Sequence, residues 1–231
     1  MREPGLRASS PRPGPTAIGT RPGLVNTPDW RNALDDYRSL PQRLRGTNVM
    51  VEELWLLLAL QDFTAAERLL IKIARKNLPE AQRHKPYFLY AQGRYPEAMA
   101  AFETASLAQS GKYVGLGWTA WKMGQSEKAT EYATLSLAAA RTLEPLLLVA
   151  QLTLDAGSLD EAEAHIKECL ELDPCDITGL HLQGCLAEAR YQPDRAREAF
   201  LRCVEEGPKR RSWPPEQQRV EDARRRLVNP D

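Results

Sequence analysis

The 231-residue chain is 42% hydrophobic, enough for one domain or a small pair with a real core. Lys plus Arg and Asp plus Glu both number 31, and that balance gives no global attraction to nucleic acid or an anionic membrane. Aromatics make up only 7%, a composition that favours helix over a large sheet, and the longest apolar run, Leu54 to Leu60, falls far below the ~20 residues that cross a bilayer.

Residues 1–28 hold six Pro and four Gly, which predicts a disordered tail unable to offset its ordering entropy. No apolar stretch of secretory type occurs there, and a cytoplasmic location is expected. Cys169, Cys175, Cys185 and Cys203 form no CxxC pair and suit reduced, buried thiols. Residues 29–46 are expected to form a lead-in helix or linker. Charge is uneven along the chain: residues 1–46 hold eight Arg against four acids, residues 47–206 hold 16 basic against 23 acidic, and residues 207–231 hold seven against four. An acidic body therefore lies between two basic ends.

From residue 47 the sequence repeats. Ala162, Ile166, Cys169 and Pro174 are spaced 0, +4, +7 and +12, and Ala196, Phe200, Cys203 and Pro208 repeat that spacing 34 residues later. Small residues, Ala150 and Gly184, stand twelve positions before these alanines. The same template finds Ala129 with Gly117 and Gly124, Ala98 with Gly93 and Phe102, and Ala66 with Leu70 and Ile73. A small residue in each helix of a pair lets the two approach closely, while the +4 and +7 positions form one buried stripe. Gly93, Gly124 and Gly157, each five before an alanine, fit a helix end that enters left-handed space. Thr64 with Glu67 and Ser158 with Glu161 read as capping boxes. Pro79, Pro174 and Pro208 read as stops for the second helices, and Pro86 suggests that the second unit's first helix starts near it or kinks there.

This pattern resembles the tetratricopeptide repeat, a 34-residue helix pair. The resemblance covers roughly residues 47–210 and implies an all-α solenoid of about five antiparallel helix pairs, followed over residues 211–231 by a C-terminal capping, solvating helix. Beyond the array, Pro215 to Val228 is polar on most faces, as such a helix would be.

Catalytic chemistry has little to stand on. The chain shows no G-x-S-x-G elbow, no Walker loop, no H-E-x-x-H and only three histidines, so no enzyme and no cofactor are expected. His165 with Cys169, and His181 with Cys185, have the i, i+4 spacing of a zinc pair. The repeat register instead points the two pairs different ways and makes them packing residues, so no metal is expected.

What the resemblance implies is binding. The first helices line a concave face, and the repeat register puts Trp55, Arg83, Tyr87, Tyr90, Trp118, Trp121, Lys122, Gln151 and His181 on it. Aromatic anchors in a groove are typical of peptide-binding hot spots. Members of the family that hold an acidic chaperone tail use a Lys, Asn and Arg clamp, but Val51, Trp55, Gly111 and Gly115 stand at the matching positions. That ligand is not implied. The expected function is a non-enzymatic scaffold or adaptor holding a partner peptide or helix, with a protein partner, no membrane insertion and no nucleic acid. The alternative is an accessory subunit of a nucleic-acid or envelope assembly that makes contact through its basic termini.

Overall fold

The computed structural model describes residues 30–210 and 213–228; the expected tail at 1–28 lies outside the described residues. After α1 (Trp30–Ser39) and a 3-10 turn at Gln42–Leu44, helices pair in sequence. The pairs are α2 (Thr47–Ala59) with α3 (Phe63–Lys76), α4 (Leu78–Ala91) with α5 (Tyr95–Thr104), and α6 (Gln109–Lys122) with α7 (Ser126–Ala139). They continue with α8 (Leu143–Asp155) and α9 (Leu159–Leu172), then α10 (Ile177–Ala189) and α11 (Pro193–Glu206). A 3-10 turn at Gly207–Lys209 leads to α12 (Pro214–Val228). The described residues are a helical solenoid with no strand.

The repeat alanines are its packing points. Ala66, Ala98, Ala129 and Ala162 are fully buried and Ala196 nearly so. The facing glycines also permit close contact, since a methyl added at Gly115 would overlap the Phe102 ring, and one at Gly184 the Phe200 ring. Close helix approach is thus built from a missing side chain on one helix and a large ring on the other.

Each turn between paired helices places one residue in left-handed space, always five before the alanine. Gly93, Gly124 and Gly157 take φ of 74°, 70° and 74°, but the first and fifth units use Gln61 at 56° and Tyr191 at 58°. The geometry is therefore common to all five units, while the residue that suits it is present in three.

Three local expectations are corrected. α4 begins at Leu78, about two turns before Pro86. Asn77 caps it by accepting from the Glu80 N–H at 3.1 Å, and Pro79 sits in the first turn, where its missing N–H costs nothing. Pro79 thus opens a helix rather than stopping one. Neither capping box forms as expected. α3 is capped by Asp62, which accepts from the Ala65 N–H at 3.0 Å, and not by Thr64. Ser158 stands at the N-cap of α9 with almost the backbone angles of Asp62, yet makes no cap bond.

α1 closes the N-terminal end. Leu34 is buried, and the Glu53 carboxylate of α2, 5% exposed, accepts from Arg38 Nε at 3.2 Å and Arg45 Nη2 at 2.6 Å. α12 closes the other end, with Val220 and Ala223 buried among Ile177, Leu180, Ala187, Phe200 and Cys203 of α10 and α11.

Candidate partner-binding groove

The first helices, α2, α4, α6, α8 and α10, present their side chains to a common concave surface, because the second helix of each pair takes the opposite side. Eight of the nine side chains expected there are at least partly buried. Trp55 and Tyr87 lie 5.6 Å apart between ring centroids, and Trp118 meets Trp121 edge-on at 5.4 Å. Lys122 places its ammonium 4.7 Å from the Trp121 ring centroid. Arg83 is the exception: it turns to solvent and pairs with Glu80 of its own helix at 3.1 Å.

This surface is covered from within the chain. α12 uses its apolar face, Val220 and Ala223, to sit on α11 as a terminal solvating helix does, and turns its other face into the groove. Trp213, just before the helix, stacks on Tyr90 at 5.4 Å and meets Trp55 and Tyr87 edge-on, each at 6.3 Å. Gln217 donates to the Ala59 carbonyl at 2.7 Å. The Arg219 guanidinium lies over Trp118 at 5.4 Å and Trp121 at 6.0 Å, and donates to Gln151 Oε1 at 3.1 Å. Asp222 meets His181 Nε2 at 2.8 Å, and Arg226 pairs with Glu188 and with Asp222. Every one of the five first helices contributes a residue to these contacts.

Burial changes the titration of the groove. His181 is pushed down to about 4 chiefly by desolvation, with Arg219 adding to the drop and the Asp222 carboxylate opposing it. It is neutral at physiological pH, and its Asp222 contact is a hydrogen bond of a neutral ring. Glu216 is pushed up to about 7, again by burial first and by Asp176 second, although it accepts from the Trp213 N–H at 3.1 Å. Tyr87 rises to about 12 and Cys185 to about 11 through burial, leaving neither a nucleophile at neutral pH. His181 and Cys185 do face each other, with Sγ 3.7 Å from Nδ1. Among the described residues, no three His, Cys, Asp or Glu side chains converge as a metal site.

α12 does not fill the groove completely. A cleft of about 440 Å³ remains beside it, between α6, α8 and α10. Trp121, Asp155, Cys185 and Glu188 line it with Arg219 and Arg226. Asp155 accepts from Trp121 Nε1 at 2.6 Å and from Gln151 Nε2 at 2.9 Å, which fixes the indole's tilt at the cleft wall.

Sequence reasoning missed the groove side of α12: Trp213, Gln217, Arg219, Asp222 and Arg226. A signal existed. Arg219, Asp222 and Arg226 stand at 0, +3 and +7, one helical face, beside the apolar stripe Val220, Ala223 and Leu227 at 0, +3 and +7. A two-faced terminal helix has two surfaces to cover.

A tetratricopeptide-repeat family profile matches residues 143–174. The sequence matches none of the curated protein sequences. Solved structures share the fold at low identity. PilW, a widely conserved type IV pilus biogenesis factor, superposes with a TM-score of 0.58 and 18% identity, over 84% of this chain and 90% of its own. PilF of Pseudomonas aeruginosa gives 0.52 and 20%, over 84% and 86%. The APC/C hetero-tetramer Cut9–Hcn1 gives 0.65 and 15% over 86% of this chain, which spans 40% of the length it matches there.

Proposed function

We propose that the chain is a tetratricopeptide-repeat protein and a protein–protein interaction scaffold whose concave groove receives a helical segment of a partner, a reading supported by the profile match at residues 143–174 and by the shared helical solenoid fold. The fold in general serves as a non-enzymatic scaffold. One observation carries the finer reading: a helix, α12, already lies in this groove against rings and polar groups from all five repeats. The groove is the right width for a helix, and its contacts are of the kinds that dominate hot spots, namely Trp, Tyr and Arg.

Affinity capture from the native cell tests this with the wild type and the Trp118→Ala/Trp121→Ala double variant. Truncating both rings should weaken a groove-bound partner by at least ~2 kcal/mol. A partner held equally by the folded double variant places the binding surface elsewhere.

The reading in which basic termini make the contacts draws less support. Arg210 pairs with Asp173, Arg224 with Glu221, Arg225 with Asp222 and Arg226 with Glu188, so these C-terminal cations are already matched by the chain's own carboxylates. We propose a cytoplasmic location, a reading supported by four cysteines that form no CxxC pair in the sequence.

A further inference from the structure

We infer that α12 is a displaceable occupant of the groove, a self-ligand, and that the partner competing with it is a helix of like chemistry: an aromatic anchor followed by two arginines one heptad apart on one face. The inference rests on the groove reading above and adds what the groove recognises and how access to it is regulated.

Three observations point to it. First, the two faces of α12 differ in kind. Its outer attachment is apolar packing of Val220 and Ala223 on α10 and α11. Its groove face is Trp213, set among Trp55, Tyr87 and Tyr90, followed by Gln217, Arg219, Asp222 and Arg226, which are held by hydrogen bonds, ion pairs and cation–π contacts. Water can replace the polar contacts at little net cost, and a competing helix with its own aromatic anchor can replace Trp213, whereas the packing of Val220 and Ala223 has no such substitute.

Second, charge is complementary across the contact. Residues 47–206 carry 16 basic and 23 acidic residues, and the groove offers Glu188 and the faces of Trp118 and Trp121 to the arginines of a basic C-terminal segment. A competing helix meets the same field and the same π faces, which select guanidinium above ammonium.

Third, the occupancy is incomplete. The cleft of about 440 Å³ beside α12 exposes Trp121, Asp155 and Glu188, so an incoming helix finds a foothold before α12 leaves. α12 is also tethered by a short segment after α11, so its local concentration is high and only a ligand with differential affinity for the open groove displaces it.

The experiment uses the full chain and a labelled peptide of residues 213–228. The variant Trp213→Ala/Arg219→Ala loosens the self-contact and leaves Val220 and Ala223 in place. It should bind the peptide at least tenfold more tightly than the wild type does. A peptide carrying Arg219→Glu should bind neither protein. Equal, measurable binding by wild type and variant overturns the inference while leaving the groove a helix-binding surface. Binding by neither, with the variant's helical circular dichroism unchanged, overturns the groove reading itself and this inference with it. Hydrogen exchange on the wild type guards against a misfolded variant: amides of α12 should exchange at least tenfold faster than those of α10. Exchange of both at one common rate, which means α12 opens only with the whole fold, overturns the inference.

Discussion

The Trp213 ring stacks on Tyr90 at 5.4 Å with the planes 28° apart, joining the start of the last helix to the second repeat 123 residues earlier. Trp213→Ala removes that ring from between Trp55, Tyr87 and Tyr90 and should destabilise the protein by about 2 kcal/mol, the worth of burying one large side chain. Urea unfolding checks it. A midpoint equal to the wild type's would show that α12 does not rest on these rings.

Glu216 and His181 make opposite demands on pH. Glu216, with its folded value raised to about 7, contributes stability that is present below the unfolded carboxylate range and is lost as pH rises through 7. His181, with its folded value lowered to about 4, contributes stability that is present above the unfolded histidine range and is lost as pH falls through 4. Between roughly pH 4.5 and 6.5 the two nearly offset each other. Glu216→Gln should therefore make stability rise with pH across that window, and His181→Ala should make it fall. Denaturant midpoints at several pH values read both slopes. Parallel profiles for the wild type and both variants would refute the burial of these groups.

Tyr191 is 93% exposed and held at φ 58°, where its side chain gains no packing and its Cβ strains the turn. Tyr191→Gly should stabilise the fold by about 0.5–1 kcal/mol, against the usual direction of a large-to-Gly change. Gly93→Ala, at φ 74° with open space around its would-be Cβ, should cost about 1 kcal/mol. Thermal melts of the pair decide it, since opposite signs are required.

Ala162→Leu and Gly184→Ala should each destabilise by roughly 1–3 kcal/mol, because both add volume where helices touch. At Gly184 the added methyl meets the Phe200 ring and not a yielding chain end. Unchanged melting of either would mean that the repeat register is not as described.

The repeat was legible because a helix pair writes itself into the sequence at every turn of the period. Ala162 and Ala196 carry identical spacings, and both are buried where the register requires. The boundary of α4 was not legible: Pro86 announces a break, but Asn77 and Pro79 have already started the helix, and its packing tolerates the lost hydrogen bond. The groove residues were legible one helix at a time, through Trp55, Tyr87, Trp118, Trp121, Gln151 and His181, since each is fixed by local register. Their cover was not. The contact of Trp213 with Trp55 spans the whole array, and no local period encodes a meeting of first and last elements.

The Gln217 bond to the Ala59 carbonyl, 2.7 Å long across 158 residues of chain, alters how the molecule comes apart. An open array frays from its ends, since each repeat touches only its neighbours. Here the two ends are clasped to each other, so loss of the first repeat exposes Trp213 and Gln217 and weakens the last. While α12 is seated the first repeat is held against fraying, and a partner that displaces α12 also undoes that clasp and leaves an open array.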